Sequence, residues 1–176
     1  MRTALTVVEK TARRAIVALG ASLGDRAGTL KVALERLGPA LGGPVTASSI
    51  IETPAQTLPD DPASDYPPYL NAVAIVETEL EPVMILERLQ AIEAELGRDR
   101  RKEGGRWRPR PIDLDLVAVD DLTHADDFLT LPHPRVAERD FVLRPLVELW
   151  PAWRHPLLGR SAAELLAALP HEVARC

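Results

Sequence analysis

Cysteine is almost absent from this chain of 176 residues, which contains only Cys176. A single thiol excludes disulfides within the chain and a cysteine-based metal site, which is typical of a reducing compartment. No apolar run is long enough to span a bilayer. Residues 1–14 also lack the basic-then-apolar order of a signal peptide. We therefore expect a cytoplasmic protein with no membrane partner.

Aromatic residues are scarce too, at 4%, and acidic residues outnumber basic ones. The net charge of −5 argues against general nucleic-acid binding, because phosphates would be repelled outside any local basic patch. The chain has no Walker-type glycine loop and no Gly-x-Ser-x-Gly hydrolase motif. With 46% apolar and 27% charged residues, the sequence is expected to fold as a globular domain.

Hydrophobic periodicity predicts four strands and two helices in the order β-α-β-β-α-β. The strands are expected at 14–20, 45–51, 70–77 and 112–119, with helical stripes at 30–37 and 85–96. Gly38-Pro39 is expected to end the first helix, and 52–68 is expected to be an irregular loop. This order is the ferredoxin-like plan of an α+β sandwich.

A C-terminal extension is predicted beyond the last strand. It would contain a short helix over 141–149 and a final helix behind a capping box at Ser161. We interpret residues 14–176 as a single domain, and residues 1–13 as a tail or an extra strand.

The most informative motif is the alternation of Asp113 and Asp115 with Ile112, Leu114 and Leu116. On a strand the three apolar side chains would face the core and the two carboxylates would share the other face. Neighbouring carboxylates repel each other, and a divalent cation such as Mg²⁺ would remove that repulsion. For an isolated Asp-x-Asp, however, a solvated polar face is the simpler interpretation.

A basic segment over residues 98–110 runs directly into this pair. It carries seven basic and two acidic residues, a charge of +5, so the rest of the chain carries −10. Each guanidinium group can bind a phosphate through two parallel hydrogen bonds, and magnesium neutralises further phosphate charge. The combination favours polyphosphate chemistry over a solvated loop or a nucleic-acid patch.

Single side chains elsewhere are more ambiguous. Asn71 opens an apolar strand, and Glu93 follows Gln90 by three residues on one helix edge. An amide and a carboxylate could together read the edge of a planar heterocycle, although Glu93 alone reads as a surface residue. His133 lies between two prolines, which suits either a phosphate contact or a structural loop.

From about residue 15 to residue 151 the chain resembles the 6-hydroxymethyl-7,8-dihydropterin pyrophosphokinases. The resemblance rests on ordered motifs: Ala18-Leu-Gly-Ala-Ser-Leu-Gly-Asp-Arg26, Glu52-Thr-Pro54, Tyr69-Leu-Asn-Ala72, Ile92-Glu93, Gly97-Arg98, Arg106-Trp-Arg-Pro-Arg-Pro-Ile-Asp-Leu-Asp115, Leu131-Pro-His-Pro-Arg135 and Arg139-Asp-Phe-Val-Leu143. It implies a ferredoxin-like fold and transfer of pyrophosphate from Mg-ATP to the pterin in folate biosynthesis.

The resemblance also implies roles for individual residues. Two Mg²⁺ ions would be held by Asp113 and Asp115, and Asp115 is also a candidate base. Arg98 and Arg110 would assist phosphoryl transfer, and Trp107 would close over the site. The pterin would contact Thr53, Pro54, Tyr69, Asn71, Glu93 and Phe141. ATP would contact Gln90, Arg98, Trp107, Arg110, His133 and Arg139.

Two other functions remain compatible with parts of the pattern. A nucleotidyl transferase also uses paired aspartates on a similar sheet, but the −10 remainder disfavours the nucleic-acid surfaces it needs. An RNA-binding module would display aromatic residues on its strands, and strands 14–20 and 112–119 have none. We therefore expect a monomeric enzyme whose partners are small molecules.

Overall fold

The computed structural model describes residues 11–55, 66–99 and 109–170. Its strands are β1 (Arg13–Ala21), β2 (Val45–Ala47), β3 (Ile51–Thr53), β4 (Tyr69–Thr78), β5 (Asp113–Val119), β6 (His124–Ala125) and β7 (Thr130–Leu131). Its helices are α1 (Arg26–Leu41), α2 (Pro82–Glu95), α3 (Asp140–Leu149) and α4 (Ala162–Ala167), with a 3-10 turn at Val136–Glu138.

Five strands form one antiparallel sheet in the order β2-β4-β1-β5, with β3 pairing with β4 beyond the end of β2. Strands β6 and β7 form a separate hairpin. A mixed α/β protein with an antiparallel sheet is therefore confirmed. Within the described residues no helix is both long and apolar enough to cross a membrane.

The two faces of the sheet are covered to different extents. Ala15, Val17 and Leu19 of β1 are fully or almost fully buried against α1 and α2, which cover one whole face. On the other face, Ile16 packs in a cluster with α3, α4 and Trp153. The residues beyond it along β1 on this face, Ala18 and Gly20, line an open cavity instead.

Helix α1 continues past the predicted stop at Gly38-Pro39 and ends at Leu41. Leu41 is 1% exposed, so its burial favours one further turn despite the hydrogen bond that a proline removes. Gly42 then ends the helix with φ 81°, and its N–H donates to the Gly38 carbonyl.

The predicted single strand over 45–51 is divided into β2 and β3. Between them the Ser48 hydroxyl accepts from the Val73 N–H at 3.0 Å, and Ser49 donates twice to the Glu148 carboxylate on α3. The loop predicted from residue 52 also begins later, because Glu52 and Thr53 belong to β3. Of that loop, residues 56–65 lie outside the described residues.

Several local predictions agree with the structure. Pro82 occupies the first turn of α2, and Ser161 and Glu164 form the predicted capping box at α4. Helix α3 includes Pro145 as predicted, and begins one residue earlier than expected. Arg13, which the sequence assigned to the tail, begins β1, and residues 1–10 lie outside the described residues.

Candidate active site

A cavity of about 780 Å³ opens on the sheet face that α3 only partly covers. Its floor crosses three strands in register, because Gly20 of β1 pairs with Asn71 of β4 on one side and Asp113 of β5 on the other. A Cβ at Gly20 would lie 3.2 Å from Asn71 Oδ1, which is closer than side chains normally pack. Glycine at this position therefore keeps the floor open between the amide and the carboxylate.

The two aspartates of β5 lie on the cavity side, as predicted. Asp113 and Asp115 are half-buried and line the cavity, whereas Leu114 and Leu116 are buried in the core. A bulge follows them: Val17 pairs with Leu116 but the adjacent Ile16 pairs with Ala118. The alternation that the sequence predicted therefore holds where the carboxylates are and is interrupted just beyond them.

Arginines neutralise both carboxylates, which the sequence pattern alone describes as a repelling pair. Arg98 Nη1 lies 2.6 Å from Asp113 Oδ1, and Arg110 Nη1 lies 3.4 Å from the same oxygen. Arg139 Nη1 donates to Asp115 Oδ2 at 2.9 Å. The cost of placing two carboxylates side by side is thus offset within the protein itself.

Glu93 is buried rather than on the surface. It is 1% exposed, and its Oε1 accepts from Arg98 Nη1 at 2.5 Å and from the Leu114 N–H at 2.7 Å. It lies on α2, at the outer edge of β5, and is not among the residues that line the cavity. Gln90 is exposed on the same helix and also does not line the cavity.

Arg139 has a polar atom that lacks a partner. Its Nε is buried and makes no hydrogen bond to any described residue. Its guanidinium carbon lies 5.6 Å from the centre of the Phe141 ring, and both residues line the cavity. An unsatisfied buried N–H of a cation is costly, so this position is suited to an anionic ligand oxygen.

A polar pair lies at the other end of the cavity. Asn71 Nδ2 donates to Thr53 Oγ1 at 2.7 Å, and the two residues are only 5% and 9% exposed. Register places Thr53 opposite Tyr69, and Pro54, Tyr69 and Phe141 also line the cavity. The structure therefore brings together five of the six predicted pterin residues, with Glu93 as the exception.

His133 lines the cavity near the arginines. Burial first, and then the Arg139 cation, lower its pKa below the ordinary value. Its Nδ1 accepts the Arg135 N–H at 3.1 Å, so in the neutral ring the proton resides on Nε2. Of the other predicted ATP residues, Arg98, Arg110 and Arg139 line the cavity, and Trp107 lies outside the described residues.

Two contributors were not identified from the sequence. Ser22 accepts the Arg110 N–H through Oγ at 3.0 Å and donates its own N–H to the Arg110 carbonyl at 3.1 Å. Phe128 lines the cavity although it is 84% exposed, in a turn where Asp126 accepts from the Phe128 and Leu129 N–H groups. Phe128 could have been noticed from the sequence, since an aromatic residue directly after two aspartates is unusual in a chain this poor in aromatics.

The donor set limits what metal the site could hold. No group of three or more His, Cys, Asp or Glu side chains able to hold a metal occurs among residues 11–55, 66–99 and 109–170. Asp113 and Asp115 would thus leave most coordination positions to water and ligand oxygens. That arrangement fits Mg²⁺, which is usually bound through one or two carboxylates together with substrate phosphates.

Comparison with known proteins gives a consistent result. The family model described as 7,8-dihydro-6-hydroxymethylpterin-pyrophosphokinase (HPPK) matches residues 16–151. The 2-amino-4-hydroxy-6-hydroxymethyldihydropteridine pyrophosphokinase of Porphyromonas gingivalis is 42% identical over 142 residues, which cover 80% of this chain and 92% of that protein. The enzyme of the same name from Methylorubrum extorquens is 42% identical over 157 residues, covering 89% and 93%.

Solved structures agree at the level of the fold. The Plasmodium falciparum HPPK-DHPS wild type with pterin and p-hydroxybenzoate superposes with a TM-score of 0.69 at 16% identity. The match covers 91% of this chain but 43% of that one, so this chain corresponds to less than half of the Plasmodium protein.

Proposed function

Since the chain belongs to the 7,8-dihydro-6-hydroxymethylpterin-pyrophosphokinase family, we propose that this cavity transfers pyrophosphate from Mg-ATP to 6-hydroxymethyl-7,8-dihydropterin. The products would be AMP and the pterin diphosphate, in folate biosynthesis. The observation that carries the proposal is the pair Asp113 and Asp115 on the cavity floor, in contact with Arg98, Arg110 and Arg139. Carboxylates with a surplus of guanidinium groups are what a magnesium-bound polyphosphate requires.

The carboxylates divide the cavity into two ends. On one side lie Asn71 and Thr53, whose amide and hydroxyl can hydrogen-bond the edge of a pterin, with Tyr69, Pro54 and Phe141 available for its faces. On the other side His133 lies close to β5, because its backbone N–H donates to the Val117 carbonyl at 2.7 Å. We assign the first end to the pterin and the second to ATP, so that the reacting groups meet at the aspartates.

Two Mg²⁺ ions bound by Asp113 and Asp115 would supply charge neutralisation for the triphosphate. The arginines that contact these aspartates would then be available to phosphate oxygens. Arg139 is suited to this exchange because its buried Nε has no partner among the described residues. Arg98 and Arg110 would stabilise charge that develops on the transferred group. His133, neutral with Nε2 protonated, would donate one hydrogen bond to a phosphate oxygen.

In the transfer itself the pterin hydroxyl oxygen would form a bond to the β-phosphorus, and the bond from that phosphorus to the α-phosphate oxygen would break. AMP leaves, and the hydroxyl proton is released. Asp115 is a candidate acceptor for that proton, although a metal-bound carboxylate is a weak base. Most of the rate enhancement would therefore come from positioning and electrostatics.

We also infer that the fold is the ferredoxin-like sandwich with a C-terminal extension. The strand order β5-β1-β4-β2 and the helices α1 and α2 on one face support this plan. The extension, which includes α3 and α4, covers part of the opposite face and forms one wall of the cavity through Arg139, Phe141 and Val142.

Isothermal calorimetry tests whether both ligands bind. A non-hydrolysable ATP analogue should bind in the presence of Mg²⁺, and its affinity should fall when EDTA is added. The pterin should then bind to the protein saturated with the analogue. Binding of the analogue with equal affinity in Mg²⁺ and in EDTA would contradict the metal assignment, and failure of the pterin to bind would contradict the pterin assignment.

A further inference from the structure

Glu93 makes contacts that do not suit a pterin ligand. Its carboxylate is 1% exposed, lies outside the cavity lining, and accepts hydrogen bonds from Arg98 and from the Leu114 N–H. Strand β5 is an edge strand of the described sheet. The Leu114 N–H lies on its outer side, away from β1, and would otherwise lack a partner in the sheet. Glu93 thus fixes the strand edge at the residue between the two candidate magnesium ligands.

Arg98 contacts two carboxylates through a single nitrogen. Its Nη1 lies 2.5 Å from Glu93 and 2.6 Å from Asp113, and its side chain is 4% exposed. A guanidinium that is this deeply buried requires a nearby negative charge. If Asp113 binds a metal ion, its charge is shared with that ion, and Glu93 remains as the full counter-charge for Arg98.

We propose that Glu93 is a positioning residue that holds Arg98 at the reaction centre while Asp113 changes partner from arginine to metal. This inference rests on the proposed function, and it replaces the role in pterin binding that the family resemblance implied for Glu93. Without this charge Arg98 would draw more strongly on Asp113, so the arginine would compete with the metal ion. Glu93 acts through Arg98 and Leu114 and contacts no substrate.

Glu93→Gln tests the proposal, because glutamine keeps the oxygen that accepts from Leu114 but removes the charge. We expect kcat to fall by about 100-fold, the scale of a misplaced catalytic group. Binding of Mn²⁺, a spectroscopic substitute for Mg²⁺, should weaken several-fold when titrated by electron paramagnetic resonance with the ATP analogue present. The dissociation constant of the pterin, measured at saturating metal and analogue, should change by less than about 3-fold. Glu95→Gln is the matched control, since Glu95 lies on the same helix, is 64% exposed and pairs with Arg36.

A double variant shows whether Glu93 acts through Arg98. In an Arg98→Ala background, adding Glu93→Gln should change kcat by less than about 3-fold, because the group that Glu93 positions is already missing. The double variant also removes the buried ion pair from both sides, so it can be assayed even if Glu93→Gln alone folds poorly.

Three results would overturn the inference. A pterin dissociation constant raised at least 10-fold by Glu93→Gln with kcat unchanged would make Glu93 a substrate ligand. Multiplicative effects of the two substitutions on kcat would make Glu93 independent of Arg98. Unchanged kcat and Mn²⁺ affinity in Glu93→Gln would leave it with a structural role only. None of these results affects the proposed function, which is tested separately by the nucleotide and pterin products that the wild-type protein forms.

Discussion

Asp113→Asn and Asp115→Asn are each expected to lower turnover by at least about 1,000-fold, the scale of a lost metal contribution of several kcal/mol. These aspartates are the carboxylates of the cavity floor, and the described residues offer no larger cluster that could hold the metal in their place. Asparagine keeps the size of the side chain and removes its charge. Steady-state rates at several Mg²⁺ concentrations measure the effect.

The same substitutions should lower thermal stability without Mg²⁺, or leave it unchanged. Repulsion between the two carboxylates would by itself make the variants more stable, but each aspartate offsets the charge of an arginine. The effect should be larger for Asp113, whose partner Arg98 is nearly inaccessible. Asp121→Asn is the control, because Asp121 is exposed just beyond β5. A variant of Asp113 or Asp115 with wild-type turnover would contradict the metal assignment.

Asn71→Ala is expected to weaken pterin binding by about 5- to 150-fold, corresponding to roughly 1–3 kcal/mol for a buried ring group left without a partner. Asn71 is 5% exposed at the cavity floor and is oriented by Thr53. Binding of the Mg-bound ATP analogue should hardly change, because the nucleotide is assigned to the other end. Calorimetry of each ligand measures both constants.

Thr53→Val should reproduce part of this loss, since valine keeps the shape of threonine but no longer accepts from Asn71. Thr46→Val is the matched control, because Thr46 is exposed on β2. If Asn71→Ala weakened both ligands equally, the cause would be general misfolding of the site, and the pterin assignment would lose its support.

The parts of the molecule that depend on short stretches of sequence were predictable. The alternation around Asp113 and Asp115, the proline at the start of α2 and the capping box of α4 all follow from spacing within a few residues. Each of these signals acts through the backbone of its own element. These features can therefore be predicted without knowledge of tertiary contacts.

Features that depend on distant residues were not predictable. Helix α1 passes Gly38-Pro39 because burial of Leu41 outweighs the local stop signal. The break between β2 and β3 depends on the contact of Ser48 with β4 and on the contact of Ser49 with Glu148. Ser49 and Glu148 are 99 residues apart in the sequence. Glu93 is buried because it contacts both the outer edge of β5 and Arg98. Neither contact can be inferred from helical spacing, which alone predicts a surface residue.

The nucleotide product tests the central claim most directly. Protein incubated with ATP, Mg²⁺ and 6-hydroxymethyl-7,8-dihydropterin should form AMP and a pterin diphosphate in equal amounts, resolved by ion-exchange chromatography. Neither ADP nor free pyrophosphate should accumulate. ADP as the stoichiometric product would instead show transfer of a single phosphoryl group, and release of pyrophosphate would show nucleotidyl transfer; either result would contradict the account.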